Sequence, residues 1–258
     1  MHVHVHVHVH VHVHVHVHAA LAAVRRAASS ALVIAAAAML PARSDGQQYI
    51  TDDAAITGDR ACQIQMWHGQ RSSWVLPVCT PVRNLELSVG FIAVWEDGLD
   101  GHFEYVVQAK TLLKPLTTDG WGAGVVAGVG RDPALASTAP GQASYYAYVP
   151  LSLSLAGDKL VLHQNTGVLY QSTRGADKVG FTWGGRAEVA VGPHLTAVAE
   201  AYGAEGAARA APEFQVGLRG FVRPERVQLD LTYGGLLRTG RRAQGWTLGL
   251  TLLTPPFL

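Results

Sequence analysis

The chain has 258 residues, of which 48% are hydrophobic and only 15% charged, with 28 glycines and a formal net charge of +1. A near-neutral balance offers no basic surface, so no nucleic-acid partner is expected. Beyond the first 44 residues there is no run of about 18 apolar residues, which excludes a helical membrane protein, and the glycine-rich mix suits short strands joined by tight turns.

Residues 1–18 are Met followed by His-Val units and hold nine of the 13 histidines. A metal-binding tract is one reading of such a repeat. A perfect dipeptide repeat is more simply a translated simple-sequence repeat or a start assigned too early, and no fold argument rests on it. Residues 19–44 then carry Arg25 and Arg26, an apolar core from Ala31 to Leu40, and small residues after Pro41. That is the anatomy of a secretory signal peptide; the apolar core is about half the length needed to cross a bilayer. Its removal takes away three of 20 Lys and Arg and none of 19 acids, leaving 17 bases against 19 acids.

Residues 45–60 read as an N-terminal periplasmic segment. Within it Ile50-Thr51-Asp52-Asp53 is a polar, turn-prone stretch; its paired carboxylates suit a cation but more commonly form a solvated turn. Strand candidates follow to the end of the chain, at Ala61–Trp67, Ser72–Val78, Asn84–Glu96, His102–Leu116, Trp121–Val129, Tyr145–Leu155, Leu160–Tyr170, Val179–Val191, Leu195–Tyr202 and Glu213–Val222. The last two lie within Arg226–Leu253, where Val227, Leu229, Leu231 and Tyr233 alternate with polar residues and Trp246, Leu248, Leu250 and Leu252 with Thr and Gly. Longer polar loops are expected at Arg131–Gln142 and Gly203–Pro212, and compact turns at Gly192–His194 and Arg223–Glu225.

Period-two alternation puts apolar groups on one strand face and polar groups on the other. The polar face collects Glu86, Glu104, Gln108, Lys110, Arg186, Glu188, Glu200, Arg219 and Asp230, each in mid-strand. A secreted β-sandwich would turn these to solvent. A membrane barrel turns them into its lumen, with apolar groups facing lipid. About twelve strands of membrane-spanning length behind a signal peptide favour the barrel: a single antiparallel transmembrane β-barrel over residues 61–258, in the outer membrane of a Gram-negative bacterium. Trp95, Trp121, Trp183 and Trp246 near strand ends suit interfacial girdles. The implied partners are outer-membrane lipid, barrel-assembly machinery and a small-molecule solute.

Five stretches carry a family resemblance: ITDDAAITGDRACQIQMW, VLPVCTPVRNLELSVG, FEYVVQAKTLLKPL, PEFQVGLRGFV and RVQLDLTYG. Together they resemble the outer-membrane family named for the meta-pathway of phenol degradation, whose members are labelled transporters, over Tyr49 to Phe257. The resemblance implies a β-barrel and passage of hydrophobic small molecules, and brings no catalytic residues. Such barrels often finish on an aromatic residue, whereas here Phe257 is second to last.

Cys62 and Cys79 are the only cysteines. In an oxidising compartment an even pair on neighbouring strands reads as one disulfide, contributing about 3 kcal/mol on the loop-entropy model. They lack the spacing of a redox or metal site, and no metal or cofactor is expected. Of the four histidines beyond the repeat, only His163 lies in mid-strand. With Ser152 or Ser154 and Glu188 it makes the best available Ser-His-acid set, but ordinary polar lining explains these residues more simply. The glycines of GWGAGVVAGVG lack the strand-to-helix context of a dinucleotide site and read as strand residues that let the wall bend or a neighbour tuck in. The function read from the sequence is a transporter or channel for small molecules, hydrophobic ones included. The alternatives are an outer-membrane lipid esterase or deacylase, a non-transporting surface barrel and a secreted sandwich.

Overall fold

The computed structural model describes residues 49–69, 72–94, 102–130, 144–171, 177–206, 210–223, 226–237 and 244–256. Among these there are twelve strands and no helix: β1 (Cys62–Gly69), β2 (Ser72–Val82), β3 (Leu85–Val94), β4 (His102–Lys114), β5 (Trp121–Gly130), β6 (Ser144–Leu155), β7 (Leu160–Gln171), β8 (Lys178–Gly192), β9 (Leu195–Gly206), β10 (Ala210–Arg223), β11 (Val227–Leu236) and β12 (Gln244–Leu253). Each pairs antiparallel with its sequence neighbours, and β1 closes on β12 from Gln63↔Leu253 to Gly69↔Thr247. Closure pairs every strand on both sides and leaves no edge.

The start of β1, the end of β12 and the short described turns share one end of the barrel. Asn84 turns β2 into β3 in the left-handed region (φ 62°), which Asn tolerates better than most residues. Its side chain then stands in for a strand, donating to Leu112 O at 2.8 Å and accepting from Leu112 N–H at 3.0 Å. Gly157 (φ 65°) turns β6 into β7. The expected strands are all present, but β9 and β10 extend into Gly203–Pro212, where a long loop was anticipated; residues 207–209 lie outside the described residues. The His-Val tract, the signal-peptide stretch, Arg131–Gln142, Trp95 and Phe257 lie outside the described residues.

The alternation is inside-out relative to a soluble protein. On β11, Leu229 and Leu231 are 40% and 42% exposed, while Asp230 and Thr232 between them are 3% and 4% exposed. The same holds around the ring, with Phe91, Val107, Leu151, Val168 and Leu218 outside and Ser88, Lys110, Ser152 and Asn165 inside. Apolar side chains left outward on this scale require apolar surroundings. Trp121, at the start of β5, is exposed under the Lys114 ammonium at 3.7 Å. Trp183 is less exposed than Trp121. It sits within β8, half-buried against Gly203, because a residue without Cβ leaves room for its ring.

The interior is not uniformly polar. Trp67, Trp74, Leu76, Val78, Ile92 and Val106 form a buried cluster on β1–β4, with Tyr146 packed against it. Glycines make space for it: a Cβ at Gly90 would run into Val106 and Leu76, and one at Gly128 into the Tyr146 ring. Cys62 and Cys79 are direct cross-strand partners with Cα atoms 4.1 Å apart, and they form the expected disulfide.

An arginine on the outer face tests this orientation by depth. Leu231→Arg, in mid-strand, is expected to cost about 2–4 kcal/mol, and Leu237→Arg, beyond the strand end, about 1 kcal/mol or less. Urea unfolding of the refolded barrel reads both; equal costs would contradict the assignment.

Candidate functional site: a strap across a polar lumen

Register assembles the site. Across β6 to β10 the inward positions Ser152, His163, Arg186, Glu200 and Gln215 are successive cross-strand partners, forming one polar row around half the wall. Glu86 and Lys110 are partners on β3 and β4. The segment before β1 crosses the lumen along this row. Its described part, residues 49–60, does not lie beyond the barrel mouth, as expected of a periplasmic segment, because its backbone amides and carboxylates find partners on the wall.

At one end of the strap, Ile50 and Thr51 N–H groups each donate to a Glu200 oxygen at 3.0 Å, and Gln215 Nε2 donates to the same carboxylate. Thr51 is fully buried against Gly184, where a Cβ would clash with its hydroxyl. Asp52 and Asp53 are not a solvated turn. Lys110 Nζ lies 2.9 Å from Asp52 and 3.2 Å from Asp53, Tyr148 OH donates to Asp52 at 3.1 Å, and Arg186 approaches Asp53 at 3.7 Å. Next, Ala54 N–H donates to Ser152 Oγ at 2.8 Å. At the far end Thr57 donates to Glu86 through its N–H at 2.6 Å and its hydroxyl at 2.9 Å, while Thr80 Oγ donates to Thr57 O at 2.8 Å.

A second network lies beside the strap. Glu188 pairs with Arg186 at 3.0 Å and Arg219 at 2.9 Å, and Arg219 also pairs with Asp230 at 2.8 Å. The Tyr49 ring lies 4.9 Å from the Arg219 guanidinium and 5.5 Å from that of Arg186, within cation–π range. All nine sequence-selected lumen residues therefore face inward. Seven join these networks, Gln108 accepts from Tyr146 OH at 3.0 Å, and Glu104 is buried on the inner face of β4.

The Ser-His-acid set is brought together, but not as a hydrolase would need it. Ser152 Oγ and His163 Nδ1 are 2.7 Å apart. His163 Nε2 is 3.8 Å from Glu188, beyond hydrogen-bond reach, and Glu188 is already held by two arginines. Ser152 is fully buried, and its oxygen accepts from the strap. The set faces the lumen, away from lipid. Among the described residues no group of three His, Cys, Asp or Glu side chains is placed to hold a metal ion.

The strap leaves a cavity of about 570 Å³ beside it. Trp67, Trp74, Leu76 and Val106 form one side, and Gln63, Gln65, Gln108 and Lys110 contribute polar groups. Sequence reasoning missed Trp67 and Trp74 as lumen residues. The signal lay in β2, whose inward Trp74, Leu76 and Val78 are apolar, as are its outward Val75 and Pro77.

Burial alone would raise the Asp53 carboxyl, but Lys110 and then Arg186 outweigh it and hold the group well below the usual carboxylate range. A depressed acid contributes stability that is fully present above its unfolded pKa and lost as pH falls through the folded value. The Asp53 contact with Lys110 is therefore expected to hold from pH 8 to about pH 4, near the ordinary aspartate value, and to break only in stronger acid. Amide exchange at Ala54 and at Ala55, whose N–H donates to Asp53, reads this, and loss of protection near pH 6 would contradict it. The double change Asp52→Asn with Asp53→Asn leaves the Lys110 ammonium, 3% exposed, without its carboxylates, at an expected cost of about 3 kcal/mol. The same amides would lose protection at neutral pH.

Several solved outer-membrane porins and channels share this architecture. The KdgM porin in complex with disordered oligogalacturonate is 12% identical, with a TM-score of 0.56 over 74% of this chain and 98% of that one. The COG4313 outer membrane channel from Pseudomonas putida F1 is 10% identical, with a TM-score of 0.53 over 81% and 99%. The NanC porin is 13% identical, with a TM-score of 0.51 over 75% and 98%. At these identities the likeness shows the fold, a closed twelve-stranded barrel of the outer-membrane type. No curated protein matches the chain. Residues 31–253 match the family described as Uncharacterised conserved protein UCP029691, and the chain belongs to that family.

Proposed function

We propose that the chain is exported to the outer membrane and serves there as a channel or transporter for small molecules, hydrophobic ones included. One observation carries this reading: an apolar exterior encloses a lumen of ionic and hydrogen-bonding side chains that still holds a cavity of about 570 Å³. A barrel that served only as an anchor would have no need of a cavity with both apolar and charged sides. Two further lines support it. The similar solved structures include a porin and an outer-membrane channel, and the sequence resembles the transporter-labelled family of the phenol meta-pathway.

The strap gives the proposal its mechanism. Anchored at Glu86, Lys110, Ser152 and Glu200, it spans the lumen and narrows the path to the cavity beside it. Outer-membrane lipid and the assembly machinery are the partners such a barrel meets. A lipid hydrolase is the weaker reading, since Ser152 and His163 are enclosed and turned from lipid.

Liposome swelling with small neutral solutes tests the proposal. The wild-type barrel should give slow flux, and Asp52→Asn with Asp53→Asn should give flux at least several-fold faster. A correctly folded barrel with no flux in either form would remove the channel function.

A further inference from the structure

The charge and surface of the lumen narrow the solute class. Glu86, Glu104, Glu188, Glu200, Glu213 and Asp230 on the wall are joined by the strap's two aspartates. Among the described residues, the lumen cations facing these eight carboxylates are three: Lys110, Arg186 and Arg219. Each of the three is already within ion-pair distance of two carboxylates: Lys110 of Asp52 and Asp53, Arg186 of Asp53 and Glu188, and Arg219 of Glu188 and Asp230. An anion entering the cavity would have to displace one of these acids. Glu86, which lines the cavity, accepts only from Thr57 and has no lysine or arginine in ion-pair contact among the described residues.

Aromatic faces complete the site. Trp67 and Trp74 are cross-strand partners on the inner wall. The register row through them continues to Ile92 and Glu104 on one side and to Gly249 and Asp230 on the other. An aromatic pair is thus flanked by a carboxylate at each end. Tyr146 and Tyr148, stacked with ring centroids 6.1 Å apart, also line the cavity. Acid excess lowers the potential for a cation, and indole and phenol faces attract a cation that keeps an apolar body. Together they match an organic ammonium ion and disfavour both anions and metal ions, the latter because aromatic walls cannot replace a hydration shell.

We infer that the lumen cavity is a binding site for small organic ammonium ions and that the barrel selects these over anions. This rests on the channel reading above and names its solute class. Charge and shape are separable with three water-soluble probes of one branched skeleton: choline, its uncharged isostere 3,3-dimethyl-1-butanol, and the anion 3,3-dimethylbutanoate.

Tryptophan fluorescence and calorimetric titration of the refolded wild-type barrel should show choline binding about tenfold or more tighter than the neutral isostere, with the anion weakest. Trp74→Leu, checked for heat-modifiable gel mobility, keeps apolar bulk and removes a π face; it should erase most of choline's advantage. Equal binding of choline and its isostere, preference for the anion, or no choline binding would each overturn the inference, and the wild-type comparison stands even if the variant misfolds. Liposome flux separates the two claims. Flux that favours the anion over choline sinks the solute class alone, whereas absence of flux for every solute sinks the channel reading.

Discussion

Lys110 carries its ammonium on the inner wall of β4 with 3% of its side chain exposed. Desolvating an ammonium costs several kcal/mol unless carboxylates surround it. The nearest wall acid by register, Glu86, is turned to Thr57 instead. The missing counter-charges come from Asp52 and Asp53, which lie outside the barrel wall in the chain. One buried cation thus ties the N-terminal segment into the lumen, and the rest of the interior is arranged around that tie. Arg186 completes the Asp53 side, and Glu188 balances Arg186 together with Arg219, which Asp230 also holds.

Register makes this economical. Cross-strand partners lie about 5 Å apart, so the row from Ser152 to Gln215 presents a polar group at each strand crossing. An extended segment advances about 3.3 Å per residue, and the strap meets Glu200 at residues 50 and 51, Arg186 at 53 and Ser152 at 54. A chain crossing the strands can therefore dock its own amides and acids on successive positions. On the opposite side β1 to β4 present indoles and aliphatic groups, so the cavity is bounded by two chemically different walls. That asymmetry, more than barrel size, distinguishes this lumen from a plain aqueous pore.

Much of the barrel was legible because strands that face lipid and lumen carry the full period-two signal. Leu229-Asp230-Leu231-Thr232 states its two environments residue by residue, and the nine inward polar residues follow from it. The disulfide was legible because only two cysteines exist and the hairpin between them is short. The strap was not legible, because Ile50 to Thr57 has no periodicity and its acids look like any exposed turn. Their partner, Lys110, lies 57 residues further along the chain from Asp53. Only three-dimensional closure brings them together. Gly203 beneath Trp183 and Gly128 beneath Tyr146 are likewise long-range fits that composition hides. The Ser152–His163 approach was legible as a pair, but its role was not: the strap amide on Ser152 makes it an anchor.

Neighbouring residues of one strand look into lipid and into a strapped lumen. Nitroxide labels at Val107 and Gln108 in the reconstituted barrel test this most directly. Val107 is exposed on the outer face, while Gln108 lines the cavity. Collision with oxygen, which concentrates in bilayer hydrocarbon, should be high at 107 and low at 108. Equal oxygen collision at both positions, or a water-soluble nickel chelate reaching 107 more readily than 108, would contradict the inside-out barrel and everything built on its lumen.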